Sequence, residues 1–307
     1  MAGIAVKGRG KQKIKPRDLA VTIAFLAPAI LICIVFIIYP VLDTVELSFN
    51  KWNGMYGVPE EFVGLENYQK ILSDKLFWNA MLNSVYFMIG GFLVLMPLAF
   101  GLALLVTSKI RGTSFFRTCY FLPVMLGTTA VALMWTFILN PNYGLLHTIY
   151  NMTGNTSSIP DVLSTKTLNV WVVVLVNEWM YAGYNMLIFA AGLVAIPEDI
   201  NEAAMLDGAT GWQRIRYVTI PLMKNSFKVF SILCITGCLK VFDIIWAMTR
   251  GGPNDASSTP TIMLYSQGFS YKLFGRSSAY GVVLLVLGVG LSVLCNKVFA
   301  EDKELKA

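Results

Sequence analysis

Six long apolar stretches constrain this chain more than any other feature, because each is long enough to cross a lipid bilayer. A membrane-spanning helix needs about 20 mostly apolar residues, and lone strands are excluded since lipid cannot satisfy their backbone groups. Only 14% of the residues are charged, against roughly 25% in soluble domains. The pattern predicts an all-α integral membrane protein with six transmembrane helices, at residues 19–39, 81–106, 119–139, 169–191, 225–247 and 278–299.

The basic residues indicate how these helices are oriented. The chain carries 24 Lys and Arg against 18 Asp and Glu, and six of the basic residues lie in the first 17 positions. With the N-terminus inside, the inside segments hold 16 basic residues, the outside segments hold 7, and Lys240 lies within a span. Cytoplasmic loops are enriched in Lys and Arg. We therefore predict a multi-pass protein of the bacterial cytoplasmic membrane, with both termini in the cytoplasm, in contact with membrane lipid and with no nucleic acid.

The inside loop between the fourth and fifth spans contains several signals of helix ends. Pro197 followed by two acidic residues is typical of a helix start, and Gly208 is typical of a left-handed helix end. Thr210 and Gln213 have the spacing of a capping box for a second helix. Pro221 is expected to break or kink the chain before the fifth span. The loop is therefore predicted to form two short helices with a tight bend between them.

The same loop resembles the EAA loop of ABC importer permeases. The segments Glu202-Ala203-Ala204, Gly208 and Val218-Thr219-Ile220-Pro221 keep the family spacing EAA-x3-G-x9-I-x-L-P, with Val218 and Ile220 in place of Ile and Leu. In that family the loop carries a helix that docks into a cleft of a separate ATPase subunit. The resemblance implies that six residues of the 195–222 loop take part in this coupling, namely Glu202, Ala203, Ala204, Asp207, Gly208 and Pro221.

Two further strings are similar to the carbohydrate-uptake branch of this family. Residues 242–253 follow the branch's pattern F-D-x-x-W-x-x-T-x-G-G-P, and residues 62–68 follow its pattern F-x-G-L-x-N-Y. The resemblance implies the fold of a type I ABC importer transmembrane domain, in a maltose-type, binding-protein-dependent system. The partners it implies are a second homologous permease subunit, two cytoplasmic ABC ATPase subunits and an extracytoplasmic sugar-binding protein.

These features divide the chain into four parts. A basic cytoplasmic tail (1–18) precedes the first transmembrane helix and its extracytoplasmic loop (19–80). A permease core of five transmembrane helices (81–299), which contains the EAA loop, is followed by a short cytoplasmic tail (300–307). The phosphate-binding pattern G-x4-G-K-[ST] does not occur in the sequence. ATP and Mg are therefore expected on the partner ATPases, and we predict no cofactor and no metal in this chain.

Polar and aromatic residues inside the fourth and fifth spans are the candidates for the substrate path. Charges within spans are costly and are usually functional or paired. Lys240 and Asp243 lie three apart, which places them on one face of a helix. Lys240 is expected either to pair with Asp243 or Glu178, holding the helices together, or to line a sugar cavity. Aromatic and amide side chains suit sugars, and interfacial packing is their alternative role. The predicted path consists of Trp179, Tyr181, Tyr184, Asn185, Lys240, Asp243 and Trp246.

Three other functions compete with a sugar importer. A secondary transporter or channel is expected to show repeated halves or broken helices, and no repeat is visible in the sequence. A glycerol-phosphate-type ABC importer permease shares the same motifs, but the predicted path has few obvious fixed cations apart from Lys240, which favours a neutral sugar, with an oligosaccharide as the expected substrate. A membrane enzyme is disfavoured, because the only histidine is His147 and no catalytic grouping or metal-ligand spacing accompanies it.

Overall fold

The structure is a computed structural model that describes residues 16–108, 111–152 and 160–298. Side chains are described from residue 22 onward within these ranges. Most of the predicted basic tail and all of the predicted C-terminal tail lie outside the described residues.

The first span is a long helix whose apolar surface stays exposed along most of its length. It consists of α1 (Pro16–Cys33), a π-helical stretch (Ile34–Ile38) and α2 (Tyr39–Leu47). In the most apolar 18-residue window of this span, no residue is buried by the rest of the described chain. A helix that is apolar on all sides and yet uncovered by its own chain is typical of a span that faces lipid or another subunit.

A small module of strands and a helix follows the first span. Strand β1 (Asn50–Lys51) pairs antiparallel with β2 (Glu61–Phe62), and α3 (Glu66–Ser73) follows. The Asn67 side-chain amide in α3 donates hydrogen bonds to the carbonyl oxygens of Ser48 and Asn50 at 2.9 and 3.0 Å. These bonds hold α3 against the strand pair.

The second span begins directly after this module. It consists of α4 (Lys75–Gly90), a π-helical stretch (Gly91–Leu95) and α5 (Met96–Thr107). The carboxylate of Asp74 accepts a hydrogen bond from the Leu76 backbone N–H at 2.9 Å, as an N-cap residue does. The cap marks the point where the polar module ends and the apolar helix starts.

The predicted third span is a pair of helices rather than one straight helix. Helices α6 (Thr113–Met125) and α7 (Thr128–Ile138) are inclined to each other by 93°. Gly127, at the break, has a φ of +80°, a conformation that glycine adopts at little cost. A short helix, α8 (Leu145–Met152), follows.

Helix α9 (Asn169–Val194) is the central element of the fold. Its residues belong to both of the larger buried apolar clusters, with Val173 and Met180 in one cluster and Met186 and Phe189 in the other. The second cluster also contains α5, so α9 is packed along most of its length. Such a helix is suited to act as a rigid rod.

The remainder of the chain is a series of short helices that ends in one long helix. The elements are α10 (Glu198–Leu206), α11 (Gly211–Arg214), a π-helical stretch (Ile215–Thr219), α12 (Ile220–Leu222), α13 (Lys224–Cys238), α14 (Asp243–Met248), α15 (Pro260–Tyr265), a π-helical stretch (Ser266–Ser270) and α16 (Phe274–Val298).

Within the described residues, four helical segments are long and apolar enough to cross a membrane: Thr22–Leu47, Lys75–Thr107, Asn169–Val194 and Phe274–Val298. The pair α6–α7, and the pair formed by Gly211–Leu222 with α13, raise the number to six if each bent pair is one span. The prediction of one helix over 225–247 is wrong, since α13 ends at Cys238 and α14 begins at Asp243.

Candidate functional site

A cavity of about 310 Å³ lies where α9 faces α13 and the break that follows α13. Its polar lining is contributed mainly by α9, which presents Asn177, Glu178, Tyr181, Tyr184 and Asn185. The apolar and remaining polar lining consists of Phe87, Leu95, Thr128, Phe230, Leu233, Cys234, Gly237, Cys238, Lys240, Val241, Phe242, Asp243 and Ile244. A mostly apolar cavity with a few converging polar groups is typical of a small-molecule site.

The α9 residues meet in the cavity because of their spacing. Positions 177, 181, 184 and 185 recur every three to four residues, which places them on one face of a helix with 3.6 residues per turn. Tyr181, Tyr184 and Asn185 were predicted for the substrate path, whereas Asn177 was not. The signal for Asn177 was present in the sequence, because it lies one helical turn before Tyr181.

Two of the aromatic residues predicted for the substrate path do not line the cavity. Trp179 packs edge-on against Trp135, with ring centroids 5.5 Å apart. Trp246 stacks on Phe242 at 5.6 Å and meets Tyr265 edge-on at 4.7 Å. Both rings therefore contribute to packing around the cavity in this structure.

Lys240 and Asp243 reach the cavity from the break between α13 and α14 and not from one helix face. Lys240 belongs to the non-helical connection, and Asp243 is the first residue of α14. Their side chains are exposed, and among the described residues no ion pair joins Lys240 to Asp243 or to Glu178. The predicted pairing of these charges is not formed, because the helix that would align them is interrupted.

Two threonines from the following segment stabilise this break. The Thr259 hydroxyl donates to the carbonyl oxygen of Val241 at 2.7 Å, and the Thr261 hydroxyl donates to that of Leu239 at 3.0 Å. Non-helical backbone within a membrane protein requires such internal partners. The two hydroxyl groups therefore allow the chain to leave the helix beside the cavity.

Glu178 is the most deeply buried charged side chain of the cavity lining. It is 2% exposed, and its Oε1 atom accepts a hydrogen bond from the Asn177 amide at 3.4 Å. Its Oε2 atom is buried and has no hydrogen-bond partner among the described residues. The side chain lies against Gly90 of α4, where a Cβ atom would come within 3.5 Å of Glu178.

The 195–222 loop has the local structure that its sequence predicts. Helix α10 starts directly after Pro197, and Gly208 adopts a φ of +78° just after the helix ends. Thr210 and Gln213 form the capping box in both directions, with the Thr210 N–H donating to the Gln213 Oε1 at 2.7 Å. The chain then turns by 69° at Met223, two residues after Pro221, into α13.

The surface of this loop is unusually apolar for exposed helices. Leu206 is 89% exposed and Trp212 is 68% exposed. Large exposed apolar side chains on a polar loop are typical of a surface that contacts another protein. Glu202, Ala203 and Ala204 lie on the same short helix, α10, as Leu206.

The glycine-rich segment after α14 is held by two buried asparagines. The Asn83 amide in α4 donates to the carbonyl oxygens of Ala256 and Ser258 at 2.9 and 2.8 Å. The Asn169 amide, at the start of α9, donates to the carbonyl oxygen of Gly252 at 2.7 Å. The segment that carries the G-G-P sequence is thereby fixed to two spans.

Replacement of Asn83 by Leu is expected to destabilise the protein by about 1–3 kcal/mol, because two carbonyl oxygens lose their donor. The measurement is thermal unfolding of the purified protein in detergent. Asn296→Leu is the matched control, since its amide makes one local bond to the Ser292 carbonyl oxygen on an exposed helix end. Equal melting temperatures for the two variants would contradict the assigned role of Asn83.

The chain matches the family of binding-protein-dependent transport system inner membrane components over residues 96–298. It is 30% identical over 287 residues to the trehalose/maltose transport system permease protein MalF of Thermococcus litoralis, which covers 93% of this chain and 96% of that protein. It is 32% identical over 268 residues to the sn-glycerol-3-phosphate transport system permease protein UgpA of Agrobacterium fabrum, which covers 87% and 90%.

The fold is similar to that of a bacterial alginate ABC transporter solved in complex with an alginate pentasaccharide-bound periplasmic protein. The TM-score is 0.80 at 20% identity, and the match covers 92% of this chain and 95% of that chain. Membership follows from the family match together with these relatives. The chain belongs to the inner membrane components of binding-protein-dependent transport systems, and it is a permease subunit of the ABC type with the fold of an ABC importer permease.

Proposed function

We propose that this chain is the membrane-spanning subunit of an ATP-driven importer that takes up a sugar delivered by an extracytoplasmic binding protein. A second homologous permease and two ATPase subunits, which bind ATP and Mg, complete the assembly. The proposal extends to a topology with both termini in the cytoplasm, in agreement with the distribution of Lys and Arg. Lipid or the second permease covers the exposed first span.

One observation carries this proposal: a single rigid helix joins the cavity to the 195–222 loop. Helix α9 lines the cavity between residues 177 and 185 and ends at Val194. The exposed helix α10 begins four residues later, at Glu198. A displacement of the loop by a partner is therefore transmitted to the cavity wall without passing through a flexible linker.

This arrangement suits alternating access driven by a partner ATPase. When ATP closes the ATPase pair, the loops of the two permeases are drawn together, and the rods attached to them open the cavity to the outside. The sugar then leaves its binding protein and enters the cavity. Hydrolysis releases the loops, and the cavity opens to the cytoplasm. ATP changes access because it stabilises one of two states more than the other.

A sugar is the substrate class that the lining supports. Tyr181 and Tyr184 offer rings to the apolar faces of a sugar, and Asn177 and Asn185 offer amides to its hydroxyl groups. The relatives' names mention trehalose, maltose and sn-glycerol-3-phosphate, and the fold neighbour carries alginate pentasaccharide on its periplasmic protein. These names support a carbohydrate-related substrate for this chain.

The proposal is tested by the energy source of uptake. The chain is reconstituted with its partner subunits and binding protein in proteoliposomes, and uptake of radiolabelled maltose and trehalose is followed. We expect uptake to require ATP and to continue in the presence of an uncoupler. Uptake that proceeds without ATP and is abolished by the uncoupler would indicate a secondary transporter instead.

A further inference from the structure

We propose that Glu178 is a substrate-binding residue whose free Oε2 atom accepts a hydrogen bond from a sugar hydroxyl, and that the cavity selects neutral polyhydroxylated substrates over phosphorylated or acidic ones. This inference rests on the proposed function, because it names the substrate class of that same cavity. It also separates the two kinds of substrate named for the relatives, neutral disaccharides and a glycerol phosphate.

The unused oxygen of Glu178 is the first ground for this proposal. Burying a carboxyl oxygen without a hydrogen-bond partner costs free energy, and buried polar atoms in native proteins nearly always have one. The Oε2 atom is buried without a partner, while the side chain forms part of the cavity wall. A ligand hydroxyl in the cavity supplies the donor that the protein itself does not.

The neighbours of Glu178 on α9 fit the same ligand. Tyr181 lies three residues further along the helix and Asn185 seven, so both share a face with Glu178. The Asn185 amide donates to the Tyr181 carbonyl oxygen at 3.0 Å, which fixes its orientation. A sugar ring packed on a tyrosine thus presents its hydroxyl groups to fixed polar groups on one helix.

The charges of the lining are the second ground. Two carboxyl groups, of Glu178 and Asp243, and one ammonium group, of Lys240, line the cavity. Phosphate and carboxylate recognition relies on arginine forks and clustered cations, and no arginine occurs among the described lining residues. The lining therefore lacks the cluster of cations that would hold an anionic substrate, whereas a neutral sugar needs none.

The natural thiols of the cavity provide the readout. Cys234 and Cys238 both line it, and the other three cysteines, Cys33, Cys119 and Cys295, are replaced by Ser outside it. The complex of this chain with its partner permease and ATPases is titrated with maltose, trehalose, maltotriose, sn-glycerol-3-phosphate or glucuronate. The concentration that half-protects the thiols from N-ethylmaleimide is measured for each.

In the wild-type cavity we expect protection by at least one of the neutral sugars and none by the two anions at the same concentrations. Glu178→Met is expected to raise the half-protecting concentration of that sugar about tenfold, because one hydrogen bond to the sugar is lost. Glu178→Gln keeps one acceptor oxygen and is expected to raise it less. Glu61→Met, outside the cavity, is expected to leave it unchanged.

Thermal unfolding in the absence of sugar separates binding from a structural role. Because the Oε2 atom has no partner, Glu178→Met is expected to unfold at the same or a higher temperature than wild type. A merely structural carboxyl would give a lower unfolding temperature and unchanged protection.

Three results would overturn the inference: protection of wild type by the anions at lower concentrations than the sugars, protection by none of the sugars, or unchanged protection in Glu178→Met. None of them alters the requirement for ATP in the uptake assay, so a failure of this inference remains distinct from a failure of the proposed function.

Discussion

Gly183→Val is expected to abolish the folded protein. Gly183 lies where α9 crosses α6, and a Cβ atom at this position would overlap the backbone carbonyl group of Tyr120. Overpacking costs about 1–3 kcal/mol when neighbouring side chains can move aside. Here the obstacle is backbone, so the two helices must separate, and we expect a larger loss. Small residues allow this kind of close approach between membrane helices.

The measurement for Gly183→Val is the yield of monodisperse protein in detergent and its melting temperature. Gly101→Val in α5 is the matched control, because the space around Gly101 is open. We expect the control to purify like wild type. Normal yield and melting temperature for Gly183→Val would show that the α6–α9 crossing described above does not exist in the native protein.

Gly237→Trp is expected to block transport without unfolding the protein. Gly237 lines the cavity near the end of α13, and among the described residues no atom apart from its own neighbours and turn of helix lies within 4 Å of a Cβ placed there. The cavity has a volume of about 310 Å³. A tryptophan ring at position 237 fills part of this volume, so the substrate no longer fits. The expected loss of uptake is at least tenfold, with an unchanged melting temperature and with ATPase subunits still bound.

Gly290→Trp in α16 is the control for this blocking effect. Gly290 also has open space around it, but it does not line the cavity. Its uptake is expected to equal that of wild type. If Gly237→Trp transports as fast as Gly290→Trp, the substrate does not pass through this cavity.

The sequence predicts the spans well where hydrophobicity alone decides the structure. The fourth and sixth predicted stretches, 169–191 and 278–299, correspond to α9 and α16, since each is a mostly apolar run without an internal proline. The third stretch was predicted as one helix, although Pro123 and Gly127 lie near its bend. These two residues are local signals for a bend, but the prediction of one helix gave more weight to the length of the apolar stretch.

The break in the fifth span had no comparable local signal. Residues 239–242 read as helix, because they are apolar apart from Lys240 and contain neither glycine nor proline. The helix stops because Thr259 and Thr261, about 20 residues further along the chain, bind the carbonyl oxygens of the break. Such tertiary contacts override local propensity, and a single sequence does not reveal them.

The cavity residues were predictable to the extent that they follow helix periodicity. Tyr181, Tyr184 and Asn185 repeat at helical spacing, and they line the cavity as a group. Trp179 lies two residues from Tyr181 and therefore falls on a different face, where it packs on Trp135. Trp179 was included in the predicted path because it is aromatic. Helical periodicity favours Asn177 instead, because Asn177 lies on the same helix face as Tyr181.

The most direct test of the account is whether the 195–222 loop holds the ATPase. We would co-purify the chain with its ATPase subunits in detergent and compare wild type, Gly208→Val and Gly211→Val, with sugar-stimulated ATP hydrolysis as the second readout. Gly208 has a φ of +78°, where a β-branched residue is strained, whereas Gly211 starts a helix and both sites have open space.

Loss of the ATPase and of stimulated hydrolysis in Gly208→Val, with both retained in wild type and Gly211→Val, is the predicted result. Equal ATPase retention and equal sugar-stimulated hydrolysis in all three proteins would contradict the coupling role of the loop.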